Sequence, residues 1–218
     1  AGGKRLFYSG DFRAHGRKSA LFDRLIAAPP KDIDVLLMEG SSLSRLRSDK
    51  TFPTEQDLEA MLVDLLQKTE GLAMAHVSAQ NIDRVVTLYR AAKRTGRTLI
   101  IDLYAAAILE ATFHDSIPQS DWDGVALYVP EYQRRQIKRL EMFELLKRHS
   151  ANRIYIEHLQ SLAKRAVLLF RPAMMDDLET ANCLNGAHFI YGQWEGYLAR
   201  GDYAMLPPWL EKHGIPLE

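Results

Sequence analysis

The stretch Gly71-Leu-Ala-Met-Ala-His-Val-Ser-Ala-Gln-Asn-Ile-Asp-Arg-Val-Val-Thr-Leu-Tyr-Arg-Ala-Ala-Lys-Arg-Thr-Gly-Arg-Thr-Leu-Ile-Ile-Asp-Leu103 decides the fold. Residues 71–77 and 98–103 are apolar runs of strand length. Between them Asn81 or Ser78 is placed to cap a helix that runs to about Thr95, with Gly96 as its stop. Two strands joined by one helix make a parallel crossover unit. The alternation extends in both directions. Upstream, Pro53 and Thr54, with Asp57 three residues on, start a helix. Its Leu58, Met61, Leu62 and Leu65 recur at helical spacing as far as about Thr69. Downstream, the pattern predicts a helix over 104–112, a strand over 125–129 closed by Pro130, and one long basic helix over 131–148. A helix near 156–164, a strand over 166–170, a helix over 174–181, a strand over 187–191 and a last helix over 208–213 follow. Such alternation between residues 54 and 191 predicts an α/β fold, a Rossmann-like parallel sheet flanked by helices.

The chain before residue 54 has a different character. Residues 4–9 read as a strand with the composition of a buried one, broken by Ser9-Gly10, and Asp11 follows at once. A short helix over 22–27 ends at Pro29-Pro30. Asp34-Val-Leu-Leu-Met38 predicts a strand buried on both faces, and it too ends in a carboxylate, Glu39. An Asp just after a strand is most often a turn former or a helix cap. A strand end also holds a charged group at fixed geometry beside an open loop, which suits a metal ligand.

Composition narrows the classes. With 47% hydrophobic residues the 218-residue chain has material for a sizeable core, and with 26% charged residues it does not read as disordered. Lys plus Arg and Asp plus Glu each number 28, so a polyanion-binding surface would have to be local. Cys183 is the one cysteine, which excludes an internal disulfide and a Cys-rich zinc site and favours a reducing, cytoplasmic setting. No apolar run is long enough to cross a bilayer, so no membrane partner is expected. The ends, Ala1-Gly2-Gly3 and Gly214-Ile-Pro-Leu-Glu218, read as cuts inside a longer protein, and cut sheet edges would make a homodimer possible.

Most local candidates carry a bland reading. The turn Val77-Ser-Ala-Gln-Asn81 has no glycine, and the chain has neither Gly-x-Gly-x-x-Gly nor a phosphate-binding loop, which argues against a nucleotide enzyme. The seven histidines are scattered, with no pair at metal-ligand spacing. Ser9 and Ser78 lack the nucleophile elbow Gly-x-Ser-x-Gly. The mixed charges over 131–148 read first as a solvated face with i,i+4 pairs. Arg171, at a strand tip, is a candidate to touch ligand or to be salt-bridged in place. Trp194-Glu-Gly-Tyr197 reads first as packing and second as a surface on which bases stack.

Taken in order, the motifs resemble one family. Ser9-Gly-Asp-Phe-Arg13 resembles the aspartate motif of the metallo-β-lactamase superfamily, in its nucleic-acid-processing β-CASP branch. Asp34-Val-Leu-Leu-Met-Glu39-Gly-Ser is similar to the next strand of that fold, with its terminal acid. Ser78-Ala-Gln-Asn-Ile-Asp-Arg84, Arg97-x-Leu-Ile-Ile-Asp102, Phe170-Arg-Pro172 and Ile190-Tyr-x-x-Trp-Glu-Gly-Tyr197 resemble the same branch, which includes ribonuclease J-like proteins. The family's His-x-His-x-Asp-His segment and its later histidine motifs have no counterpart in the chain.

The resemblance implies part of a metallo-β-lactamase αββα domain over 1–50, a β-CASP domain over 51–195, and a return towards the first domain over 196–218. It implies a zinc-dependent RNA or DNA phosphodiester hydrolase, an RNA-processing nuclease acting on single-stranded RNA or DNA. In the intact parent two zinc ions would activate a shared water and clamp phosphate oxygens. Asp11 would bridge the metals as metal ligand and catalytic residue, and Glu39 would orient a ligand histidine or handle a proton. Arg13 and Arg171 are the residues expected to touch nucleic acid. The chain by itself is expected to be inactive and to retain no zinc, since one carboxylate is short of the three protein ligands a catalytic site needs. The alternatives are a non-catalytic binding or scaffold module on the same fold, or a small-molecule hydrolase of the superfamily.

Overall fold

Leu6-Phe-Tyr8 forms β1 (Leu6–Tyr8) in the computed structural model, which describes residues 2–10, 14–38, 53–198 and 201–218. The chain divides into two units, residues 1–58 and 59–218. In the first, β1 leads through α1 (Ser19–Ala27) to β2 (Val35–Leu37). The two strands pair in parallel, Leu6 opposite Val35 and Tyr8 opposite Leu37. Asp34 fastens the start of this ladder by accepting from the Arg5 N–H at 2.9 Å and from Lys4 Nζ at 2.8 Å. Those donors hold its carboxyl below the ordinary aspartate range, the Arg5 amide most of all.

The expectation of a strand buried on both faces over 34–38 does not hold. Val35, Leu36 and Leu37 are between 43% and 55% exposed, and Leu6 and Tyr8 are exposed as well. Apolar composition alone does not bury a strand; burial needs a layer over each face, and this sheet has two strands with one short helix beside them. Phe7, Leu25, Ile26, Leu36 and Met38 line an apolar hollow of about 420 Å³.

Helix α2 (Glu55–Lys68) carries the chain into the second unit. It starts with a reciprocal cap: Thr54 N donates to Asp57 Oδ2 at 2.9 Å and Asp57 N donates to Thr54 Oγ1 at 3.2 Å. The second unit is built on six parallel strands in the order β6-β5-β4-β7-β3-β8. From β3 (Ala73–His76) the chain runs through α3 (Ile82–Arg94), β4 (Thr98–Ile101), α4 (Leu103–Glu110), β5 (Val125–Tyr128), α5 (Glu131–Arg139) and α6 (Phe143–Arg148) to the edge strand β6 (Arg153–Ile154). It returns through α7 (Ile156–Leu162) to β7 (Ala166–Leu169), inserted between β4 and β3. It continues through α8 (Met175–Thr180) to β8 (His188–Tyr191), followed by α9 (Leu206–Lys212).

Every residue of β3, β5 and β7 is buried, because both faces are covered. Alternate strand residues feed two cores. Ala75, Leu99, Ile101, Leu127 and Leu169 pack with α2, α3 and α4, while Met74, Ile100, Leu168, Phe170 and Phe189 pack with α7, α8 and α9.

Two further expectations change. The long helix over 131–148 is two helices, because Glu141 adopts a left-handed backbone (φ 54°) after Leu140 closes α5. No Gly or Pro marks that break. Its first turn does show the expected charge pairs, with Arg134 and Arg135 both on Glu131 at 2.7 and 3.0 Å. The short strand β6 was not expected from sequence; it exists by pairing with β5, Leu127 opposite Arg153.

Candidate functional site at the carboxyl edge of the sheet

Strand β7 is flanked by β4 and β3, and the connections leaving these neighbours pass to the opposite face from its own. Crevices at such reversals, beyond the carboxyl ends of parallel strands, are where open α/β sheets bind ligands. Here the crevice is occupied by a buried polar network. Asp102, directly after β4, has no exposed side-chain surface. Its Oδ1 accepts the Ala105 N–H at 2.7 Å and so caps α4; its Oδ2 accepts from Tyr132 Oη at 3.3 Å and lies 3.5 Å from Arg171 Nε. Gln133 closes the loop: its Oε1 accepts the Leu103 N–H at 3.1 Å and its Nε2 donates to Tyr132 Oη at 3.2 Å. Burial, together with the Asp102 charge, pushes the Tyr132 hydroxyl well above the ordinary phenol range, so it acts as a neutral donor.

Arg171 follows β7, with a side chain 17% exposed. Its Nη1 donates to Val77 O at 2.7 Å, and its Nη2 is buried with no hydrogen-bond partner among the described residues. The guanidinium therefore ties the ends of β3, β4 and β7 together. His76, at the end of β3, is buried beside it. Its Nδ1 donates to Phe170 O at 3.1 Å, leaving Nε2 to accept from Gln193 Nε2 at 3.3 Å. Burial lowers its pKa, as does the Arg171 charge, against the raising effect of the Phe170 carbonyl. Tyr191 stacks on the ring at 5.7 Å.

Over this interior network lies an exposed rim of aromatic and amide side chains. Tyr104, in the first turn of α4, accepts from Gln80 Nε2 at 3.1 Å. Trp194 and Tyr197 follow β8.

Of the residues singled out from sequence, Arg171 is at this edge and points its donors inward. Asp11, Arg13 and Glu39 lie outside the described residues. Among the described residues no three His, Cys, Asp or Glu side chains group as metal ligands. Asp102 is readable in sequence as a carboxylate directly after an apolar run. Tyr132 and Gln133 carry no such signal, because only the fold brings α5 over the end of β4.

One row looks like a hydrolytic triad: Ser120 Oγ donates to His149 Nδ1 at 2.9 Å, and His149 Nε2, which makes no hydrogen bond among the described residues, lies 3.5 Å from Glu110 Oε2. Its serine is buried and its acid is the exposed member, the reverse of what nucleophilic attack on a substrate needs. It joins the end of α4 to the end of α6. Comparison with models of known protein families, and with curated proteins, returns no match for this chain.

Proposed function

We propose that this chain is the β-CASP-bearing part of a metal-dependent phosphodiester hydrolase acting on RNA or DNA. One observation carries the reading. The strand that leads into Gly-Asp-Phe-Arg and the strand that leads into Met-Glu-Gly-Ser are parallel neighbours, with Ser9 N donating to Leu37 O at 3.0 Å. The chain thus leaves both strands at one sheet edge, and Asp11 and Glu39 follow within three residues. The resemblance asks for a metal-bridging and a proton-handling carboxylate in the segments that follow these two strands. The six-stranded parallel sheet of the second unit supports the same reading, since it stands where the resemblance puts the β-CASP domain.

The donors of the described residues do not make up a zinc site. When bound, zinc would supply a water acidic enough to attack a phosphodiester at neutral pH. Arg13 and Arg171 remain the proposed phosphate contacts. For Arg171 the support is its place at a strand end; its inward bonds assign it first to holding that edge together.

The test is the metal content, by plasma mass spectrometry, of the natural full-length protein, beside an Asp11→Ala variant. About two zinc ions per chain, lost in the variant, is the expected result. No metal under zinc-replete conditions would overturn the reading.

A further inference from the structure

Asn185-Gly186 is the one Asn-Gly pair in the chain, and it forms the tip of the turn between α8 and β8. The Ala187 N–H donates to Leu184 O at 3.1 Å and closes that turn. Of its two central residues only Gly186 is left-handed, at φ 65°, the type II pattern that calls for glycine in this place. Both residues are exposed. Among the described residues the Asn185 carbonyl, the Gly186 N–H and the Asn185 side-chain amide have no hydrogen-bond partner. The carbonyl rests on the bare backbone of Gly71, where a Cβ would collide with it. The turn is anchored on either side of this peptide instead. Gly71 N donates to Gly186 O at 2.8 Å and His188 N to Leu72 O at 2.9 Å, which sets the start of β8 beside β3.

A side-chain amide one residue before a glycine nitrogen is placed for ring closure. Bringing that nitrogen onto Cγ of Asn185 takes a rotation of the central peptide of the turn. Here the rotation breaks no hydrogen bond among the described residues, and a glycine follows it without a Cβ to obstruct. The other three asparagines lack this combination. The Asn81 side chain caps α3, and Asn152 Nδ2 donates to Trp122 O at 3.0 Å. Asn182 is exposed on the same hollow of about 380 Å³ as Asn185, but the next residue is the buried Cys183, whose side chain stands in the way.

We infer that Asn185 is a site of spontaneous covalent modification, converted through a cyclic imide to aspartate and isoaspartate, and that the isoaspartate form loosens the start of β8. The Gly186 nitrogen gives its proton to solvent and bonds to Cγ of Asn185. The bond from Cγ to Nδ2 breaks, and Nδ2 leaves as ammonia with a proton from solvent. Water then opens the ring. Cleavage between the nitrogen and Cγ gives aspartate; cleavage between the nitrogen and the main-chain carbonyl carbon gives isoaspartate. Nothing is oxidised or reduced. The second product runs the main chain through the former side chain and lengthens it by one methylene. That extra atom falls between Leu184 and Gly186, inside the turn that the Gly71 and Ala187 bonds hold. Either product places a new carboxylate beside the hollow that Glu179, Lys212 and His213 also line.

The test ages the chain in mildly alkaline buffer and follows its tryptic peptide Ala166–Arg200 by mass spectrometry with fragmentation. The expected result is a gain of about one dalton located at Asn185 and not at Asn182, the change that follows when an amide becomes a carboxyl group. Asp123-Gly124 can isomerise through the same kind of ring, but without a change in mass. The gained fraction should accept a methyl group from an isoaspartyl methyltransferase, and both signals should vanish in Asn185→Gln. Urea midpoints of the aged chain and of Asn185→Asp separate the two products. The aged chain should unfold at lower urea than Asn185→Asp, because only isoaspartate alters the main chain. An Asn185 that stays intact in the folded chain while the free peptide Leu-Asn-Gly-Ala reacts would overturn the inference, as would a gain that appears first at Asn182. An aged, methyl-accepting chain with the midpoint of Asn185→Asp would overturn the loosening of β8. None of these outcomes bears on the hydrolase reading.

Discussion

Arg97 is buried, no carboxylate among the described residues pairs with it, and its replacement has a calculable consequence. Its Nη1 donates to Gly71 O at 3.0 Å and Ala166 O at 3.2 Å, and its Nη2 donates to Thr69 O. One guanidinium thereby joins the end of α2 to the starts of β3, β4 and β7. The carbonyl of Thr69 belongs to the negative end of α2, which favours a cation there. Arg97→Met removes three charge-assisted bonds at once. Each is worth about 1.5–3 kcal/mol, and the buried carbonyls left behind add to the loss. Against this, the variant no longer desolvates a charge, a cost visible in the depressed basicity of Arg97, which burial causes. The net expectation is about 3–5 kcal/mol of destabilisation, the usual result of removing one side of a buried charged contact. In urea, with a slope of about 2 kcal/mol per molar, the midpoint should fall by roughly 1.5–2.5 M at unchanged slope. Arg97→Lys should fall between, because an ammonium cannot span three carbonyls that a planar fork reaches. An Arg97→Met midpoint within about 0.5 M of the parent chain, a difference near 1 kcal/mol, would refute the reasoning.

Two other expectations follow from buried or paired carboxylates. Asp102→Ala removes the α4 cap, the Tyr132 bond and the charge facing Arg171, a loss of about 3 kcal/mol. Adding Arg171→Met should cost less than the two single changes summed, which a double-mutant cycle in urea would measure; strict additivity would sink the coupling. Glu179 accepts from His213 at 2.7 Å, and from Lys212 and Trp209 at 2.9 Å, and these bonds, that of His213 first, hold its pKa down to about 2. A carboxylate whose folded pKa lies below its unfolded value stabilises the fold above the unfolded value and ceases to as pH falls through the folded one. The stability difference between the parent chain and Glu179→Gln should therefore be full above about pH 4.5 and fade towards pH 2, as read by urea midpoints across that range. A difference that does not change across that window would be contrary to the assignment.

Where local chemistry decides an outcome, the sequence was sufficient. The Thr54–Asp57 start of α2 and the stop at Gly96 (φ 66°) were readable residue by residue, and the cap of α3 was narrowed to two candidates, of which Asn81 accepts the Arg84 N–H at 3.2 Å. The apolar runs of β3, β4, β5, β7 and β8 were equally plain, because a strand covered on both faces must be apolar at every position. The failures have one cause. Asp34-Val-Leu-Leu-Met38 has the composition of a buried strand and is exposed, because burial depends on what lies over the faces. The helix predicted over 131–148 breaks at Glu141 with no local breaker, and β6 exists only because β5 is beside it.

Apart from the break at Glu141 and the edge strand β6, the sequence by itself thus determined the order and type of the elements of the six-stranded unit, since these follow from the period of apolar residues and from caps a few residues away. Strand order was decided only by the tertiary structure: β7 inserts between β4 and β3, and that crossing creates the reversal at which Asp102, Tyr132, Gln133 and Arg171 meet. These four come from just after β4, from α5 and from just after β7, separated by up to 69 positions in the chain, and no spacing rule reaches that far. The pose of Trp194 is of the same kind. Its motif is visible as four residues, but a ring lying on Gly196 and braced by Tyr197 is a matter of close packing, which sequence period does not encode.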